Sequence, residues 1–596
     1  MSLKVMMCRR IRRSRGVALG YSLLILGAVL SCHAAPKPVE MDTEFDGGSR
    51  IENQEPTPVQ VENLALLGRV WGFLKYHHPK VTAGQLNWDY ELFRVAPKVL
   101  AASDRAAVIE AIATWAEAVG APAPCVPCAR VPTDIHLAPR VDWIRDTSTL
   151  GRALSARLVA VYENRSAARE QYYVRHDQEV GNPDFSNENA YADHPFPDAG
   201  FRLLALYRWW NIIEYWFPYR DVLDADWGDV LTEYIPRLMT VRDADTYRVT
   251  MIEVITRVDD THANLWKSLR VQPPVGTARL PVIVRFVEGE AVVTGFSNPE
   301  LGQATGLEVG DVIETIAGTR VDSLVNALRP YYSASNEPTR LRDIARKLTK
   351  GAAGPVSVAG RRAGRRFELI AERAPANQLD HEAGRRHDRP GDTFQMLTNE
   401  VAYLKLSSVV AADAADYVRD ASRAKVFVID IRNYPSEFVV FALGQHLVRE
   451  RTEIARPTRG DAANPGAFLW TKPVVLEPKK PHYAGRVVIL IDEVTQSSAE
   501  YTAMAFRAAP HAIVVGSTTA GADGNLSAIP LPGGLEGSIS GIGAFYSDRS
   551  PTQRIGIIPD LEVRPTIAGI RAGRDEVLDA AVSYALGREW RMPLGR

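Results

Sequence analysis

The sequence predicts a multidomain α/β protein, with helical units at the front, a small β-rich unit in the middle and an alternating strand–helix unit at the end. Three observations carry this reading. At 596 residues the chain is several times the length of an ordinary domain. Two early segments, "LGRVWGFLKYHHP" (Leu67–Pro79) and "YRWWNIIEYWFP" (Tyr207–Pro218), align without gaps, with Trp71 on Trp210, Tyr76 on Tyr215 and Pro79 on Pro218. Late in the chain, strand-like runs ("VAYLKL", "KVFVIDIR", "RVVILID", "AIVVGS") alternate with the helix-like "PSEFVVFALGQHLV" and "DEVLDAAVSYALG".

Residues 1–35 read as a signal peptide. "RRIRRSR" (Arg9–Arg15) is a positive n-region, and the apolar run Gly16–Leu30 is short for a membrane span. "VLSC" approximates a lipoprotein box that would place a lipid on Cys32, while "CHAA" offers ordinary cleavage at Ala34. Either way the chain is expected to leave the cytoplasm for the periplasm, with possible membrane attachment through Cys32. No other segment is apolar and long enough to span a bilayer. Residues 36–58 are polar, with Pro and Gly, and read as a tether.

The first helical unit is expected over 59–145, a helical connector over 146–200 and the second unit over 201–275. The register of the repeat holds through Trp88 on Trp227, Pro97 on Pro236 and Asp104 on Asp243. The first copy ends "AVGAPAPCVPC", whose Cys125 and Cys128 are expected to form a local disulfide, since no second Cys pair or HxxxH completes a metal site. The second ends "RVDDTHANLW", and this asymmetry gives one copy a histidine, His262. Residues 276–375 alternate as strands around the turns "EGE" and "GLEVGD". Residues 376–394 are breaker-rich and read as a linker, leaving 395–596 as the α/β core.

Composition excludes little but is informative about partners. Apolar content of 46%, charge of 24% and a net charge of −1 fit a soluble globular protein and give no basic face for nucleic acid. HExxH and the G-x-S-x-G elbow are absent, and neither metal nor cofactor is implied. Ser422 and Lys425 form an S-x-x-K that leads into a strand and is discounted.

The chemistry concentrates in "VVILIDEVTQSSAEYTAMAFR" (Val487–Arg507), where a buried strand hands over to a helix through paired serines. Ser497 and Glu500 have the spacing of a capping box. A nucleophile held at a helix N-terminus, where N–H groups favour a developing oxyanion, has the same local pattern.

The order "DDTHA", "GLEVGDVIETIAG", "VIDIRNYPS", "SSAE", "VGSTTAGADGNL", "GIIPDLEV" resembles the S41 peptidases, the C-terminal processing proteases and the tricorn-type core, from about Leu203 to the end. The resemblance implies helical units, a PDZ-like domain at 276–375 and a ClpP/crotonase-like α/β core. It implies a serine endopeptidase acting on peptides or unfolded proteins. Ser497 takes the nucleophile slot and the Ser498 N–H one oxyanion donor. "RNYPS" occupies the glycine-rich loop that supplies the other donor, assigned to Ser436. The processing-protease lysine slot holds Ala522, so the base is assigned as in the tricorn branch, to His262, with Thr261 steadying the imidazole. The family's further Glu has no evident match; Gln553 and Asp548 are nearest. His262, which follows Asp259 and Asp260, also reads as a helix-start residue beside a capping Asp. The Gly306–Ile313 turn reads either as part of a PDZ peptide groove or as a brace. A second reading makes the chain a catalytically degenerate S41-like binding or scaffold protein.

Overall fold

The computed structural model describes residues 38–223, 226–265, 268 and 273–588; the expected signal peptide and Cys32 lie outside them. No helix among the described residues is long and apolar enough to cross a membrane.

Thr57 starts the first long helix, α1 (Pro58–His77). Its hydroxyl accepts from the Gln60 amide, and the Gln60 side chain accepts in return from the Thr57 amide. Asn87, Asp198 and Asp226 cap α2 (Trp88–Ala101), α3 (Ala199–Trp216) and α4 (Trp227–Thr240) through their side chains. The aligned tryptophans make the same contact twice. The indoles of Trp71 and Trp88 each donate to the other's carbonyl at 2.9 Å, and Trp210 and Trp227 do likewise at 2.6 and 3.0 Å.

Helices α1 and α3 approach closely through small residues. The Asn211 amide lies over Gly72 and donates to the carbonyls of Gly68 and Tyr207. Deeper in, Lys75 and Arg208 meet Asp89 and Glu188 at 2.7–3.4 Å, with all four side chains buried. Two positive and two negative charges together make that burial tolerable.

Two expectations are corrected in this half. The tether is docked instead: Phe45 and Ile51 are buried, and the Ser49 hydroxyl donates to Asp198 at 2.5 Å. Two apolar residues in a polar stretch, with ion pairs from Arg94 to Asp42 and Glu44, pin it. The connector is helical only over Thr147–Glu163. Beyond it, a segment rich in Asn, Asp, Gly and Pro runs to 198 without helix, its regular structure a short strand pair, Arg175–His176 with Pro183–Asp184, because those residues favour turns over helix. Cys125 and Cys128 are disulfide-bonded, with Cα atoms 4.8 Å apart. The strand Ile135–Leu137 then adds to a small sheet formed by Phe468–Trp470 and Thr458–Gly460.

Residues 278–375 form a twisted antiparallel unit that includes strand β1 (Val282–Val287) and closes with the hairpin Gly354–Arg362/Arg365–Pro375. Its turn at Gly306–Ile313 is held by two arginines. Arg362 binds Asp311 and the Gly306 carbonyl, and Arg571 of the core donates to the Gly310 carbonyl. An apolar cavity of about 470 Å³ lies between β1 and α5 (Glu337–Leu348). Helix α5 is capped by Asn336, with Pro338 in its first turn. The linker is docked on the core, where the His387 amide donates to the Arg432 carbonyl at 2.7 Å.

The core is a six-stranded sheet in chain order: β2 (Phe394–Thr398), β3 (Val401–Lys405), β4 (Val426–Asp430), β5 (Arg486–Ile491), β6 (Ile513–Gly516) and a short last strand, Leu561–Glu562. The first pair is antiparallel and the rest parallel. Its central strands are buried on both faces, as their unbroken apolar runs require. The run at 435–448 was expected to be helical throughout but gives only Val440–Gly444.

Candidate active site

The serine turn leaves the carboxyl end of β5, where open parallel sheets gather their sites. Ser497 precedes helix α6 (Ser498–Phe506) with φ 57° and ψ −120°. The caps Asp104, Asp243 and Asn336 are all extended, at φ near −150°. A cap does not need the strained conformation of Ser497; an exposed nucleophile on a sharp strand-to-helix turn does.

Glu500 holds the turn in place. Fully buried, its carboxylate accepts from the amides of Ser497 (3.1 Å), Gly521 (2.8 Å) and Ala522 (3.0 Å) and from the Thr519 hydroxyl (2.5 Å). Burial holds its pKa above the ordinary carboxylate value, and these four donors offset only part of that rise. The Ser497 amide is also satisfied by the Ala522 carbonyl at 3.0 Å, so it is not an oxyanion donor.

The side chain of Ser497 meets the phenol of Tyr434 and lines a cleft of about 660 Å³. The Ser498 amide, first in its helix, has no intrahelical acceptor. Ser436 does not fit the expected second donor. Its amide donates to the Leu406 carbonyl (2.9 Å) and its hydroxyl to that of Val409 (2.6 Å), because the chain there folds back along β3. Among the described residues the Tyr434 amide has no acceptor.

His262 is buried, on a segment fixed to the hairpin of β7 (Leu526–Leu531) and β8 (Leu535–Ser540). The Ser538 hydroxyl donates to the His262 carbonyl, and Asn264 pairs with Ser538. The imidazole Nδ1 lies 2.9 Å from the Ser540 hydroxyl, and that hydroxyl donates to Asp260 Oδ1 at 3.2 Å. With its proton given to Asp260, Ser540 accepts from Nδ1–H, which leaves the lone pair on Nε2. Burial lowers the His262 pKa and Asp260 partly restores it.

Thr261 does not steady the ring. Its hydroxyl donates to Ser335 and accepts from the Ser335 amide, since the β-rich unit packs on that side. Gln553 is buried, its amide 3.4 Å from Asp260 Oδ1, whereas Asp548 caps a surface turn. Among the described residues no hydrogen bond joins His262 to Ser497. Asp260 and Ser540 were missed from sequence. Asp260 stood in the quoted "DDTHA", but Ser540 is 278 residues from His262 and carries no local signal.

One close group of potential metal ligands occurs among the described residues: His387, Asp492 and Glu493. Arg285 already pairs with both carboxylates, and His387 Nδ1 lies 2.6 Å from Asp492.

With the serine turn placed on the parallel sheet, the comparisons say what this core is similar to. Residues 400–563, most of the core, match the model of Peptidase family S41. Members of the family are serine peptidases. Among solved structures, a CPAF mutant is similar at 14% identity and TM-score 0.53, over 66% of this chain and 99% of that one. Mature CPAF complexed with lactacystin is similar at 15% identity and TM-score 0.51, over 64% of this chain and 97% of that one. At such identity the likeness concerns the fold alone. No curated protein matches the chain in sequence.

Proposed function

We propose that the protein is a serine endopeptidase of the S41 type, acting on peptides or unfolded proteins, with Ser497 as nucleophile and His262 as base. The observation that carries this reading is the strained Ser497 backbone at the wall of an open cleft. In this reading His262 Nε2 takes the Ser497 proton as Oγ attacks the scissile carbonyl. The Ser498 and Tyr434 amides receive the oxyanion, and His262 then protonates the leaving amine before water clears the acyl-enzyme. The reading requires the 260–264 segment and the serine turn to close on substrate, as catalytic hydrogen bonds often do. The PDZ-like unit at 276–375 would brace this assembly.

Export to the periplasm, with a lipid on Cys32, is part of the proposal. The Cys125–Cys128 disulfide suits an oxidising compartment. The rival reading is a degenerate chain that only binds. Cleavage of an unfolded protein by wild type, Ser497→Ala and His262→Ala, each with its melting temperature, decides between them. The peptidase reading expects loss of at least about a thousandfold in both variants at nearly unchanged melting temperature. Wild type that cuts nothing supports the binder.

A further inference from the structure

The cleft beside Ser497 has two parts of unlike character. Its mouth is aromatic: Phe438 is 54% exposed, Phe441 45% and Tyr434 59%, and Phe438 stacks on Tyr501 with ring centroids 6.4 Å apart. Such exposure of large apolar side chains around a concavity marks a surface made to be covered.

The wall also contains a carboxyl group. Asp523 follows Ala522, whose carbonyl accepts from the Ser497 amide, so the two residues are tied to one turn. Asp523 is 4% exposed. One carboxyl oxygen accepts from the Gly524 amide at 2.7 Å, and Oδ2 has no partner among the described residues. Buried polar atoms are ordinarily satisfied, and the exceptions call for an explanation. Arg459 and Lys472 line the same cleft, and neither pairs with Asp523. Asp177 and Glu179, from the irregular segment after the first helical unit, add negative charge to the lining.

We propose that Asp523 closes a specificity subsite beside Ser497 that accepts a lysine or arginine side chain of the substrate polypeptide. The proposal rests on the peptidase reading for its substrate, but not for its geometry. A basic side chain has the matching build, an apolar stem to lie along the aromatic mouth and a cationic head to reach the unmet oxygen. A neutral apolar side chain would leave Oδ2 unsatisfied, and an acidic one would meet Asp523 with like charge. Burial, with Glu500 nearby, holds the Asp523 carboxyl well above the usual carboxylate range while the subsite is empty. An arriving cation reverses that, so the charge forms when the partner is present.

The test uses fluorescein-labelled unstructured decapeptides, identical except for a central Lys, Arg or norleucine. Their binding is measured to Ser497→Ala and to Ser497→Ala/Asp523→Asn, with the melting temperature of each. The proposal expects the Lys and Arg peptides to bind roughly tenfold or more tightly than the norleucine peptide, and Asp523→Asn to erase most of that difference. Equal binding of the three peptides, absence of binding included, overturns it, as does a preference that survives in Asp523→Asn. If the double variant does not fold, the comparison of peptides on Ser497→Ala alone still decides. Because binding is read without cleavage, a basic preference in a protein that cuts nothing would retain the subsite and overturn the peptidase reading instead.

Discussion

At Ser497 the chain holds a side-chain-bearing residue where a Cβ is crowded by its own backbone, which costs about 1–3 kcal/mol. Glycine escapes most of that cost and loses about 0.5–1 kcal/mol through its freer unfolded chain. Ser497→Gly is therefore expected to raise the denaturation midpoint slightly while abolishing cleavage. A lowered midpoint would mean that the hydroxyl is a structural cap. The histidine invites a different measurement. Its pKa lies below the ordinary 6.5 because burial disfavours the imidazolium, and Asp260 pulls it partly back. On the peptidase reading the base must be neutral, so kcat/KM is expected to rise with pH through that value, with its acid limb below 6.5. Asp260→Asn removes the upward pull, so the limb should move to lower pH while kcat falls on the order of tenfold or more. A limb that stays in place would show that Asp260 does not act through Ser540 on the ring.

Between elements, the closest approach is α1 on α3. A Cβ on Gly72 would stand 1.7 Å from the Asn211 amide oxygen, and Asn211 is held in place by two carbonyls. Gly72→Ala should therefore destabilise the protein by about 1–3 kcal/mol in urea unfolding, where an Ala in an exposed helix would stabilise it. Elements of this kind were largely readable from sequence. The central strands announce themselves as apolar runs, and the serine turn as the break at the end of one. Tryptophans at a constant spacing pointed to helices that make the same reciprocal indole bonds. What sequence hid is what distance decides. Helix α5 carried its signals, Asn336 and Pro338, inside a stretch read only for strands. The imidazole's partner came from a hairpin far along the chain, and the Ser436 amide was taken by a strand neighbour.

Across the whole molecule, the β-rich unit and the irregular segment both reach the serine turn or its cleft. Arg342 of α5 donates to the Glu493 carbonyl and the Gln496 side chain at 2.7 and 2.8 Å, so the β-rich unit touches the residue before Ser497. The irregular segment at 164–198 supplies part of the cleft wall. It also anchors the helical half: Arg165 donates to the Asn464 side chain, Gln171 to the Ala462 carbonyl and Asn182 to that of Leu526. The strand Ile135–Leu137 completes a sheet whose other members lie in the core.

This interleaving bears on what a single scission would do. The exposed stretch around Glu382–Arg386 is the one covalent link between the piece holding His262 and the piece holding Ser497. A nick there would cut none of the strand pairing or the charged and polar bridges that cross between the pieces. The two polypeptides would migrate as one body in solution and separate only in denaturant. A split protein made by co-expressing the halves would then bring Ser497 and His262 into one body from different chains.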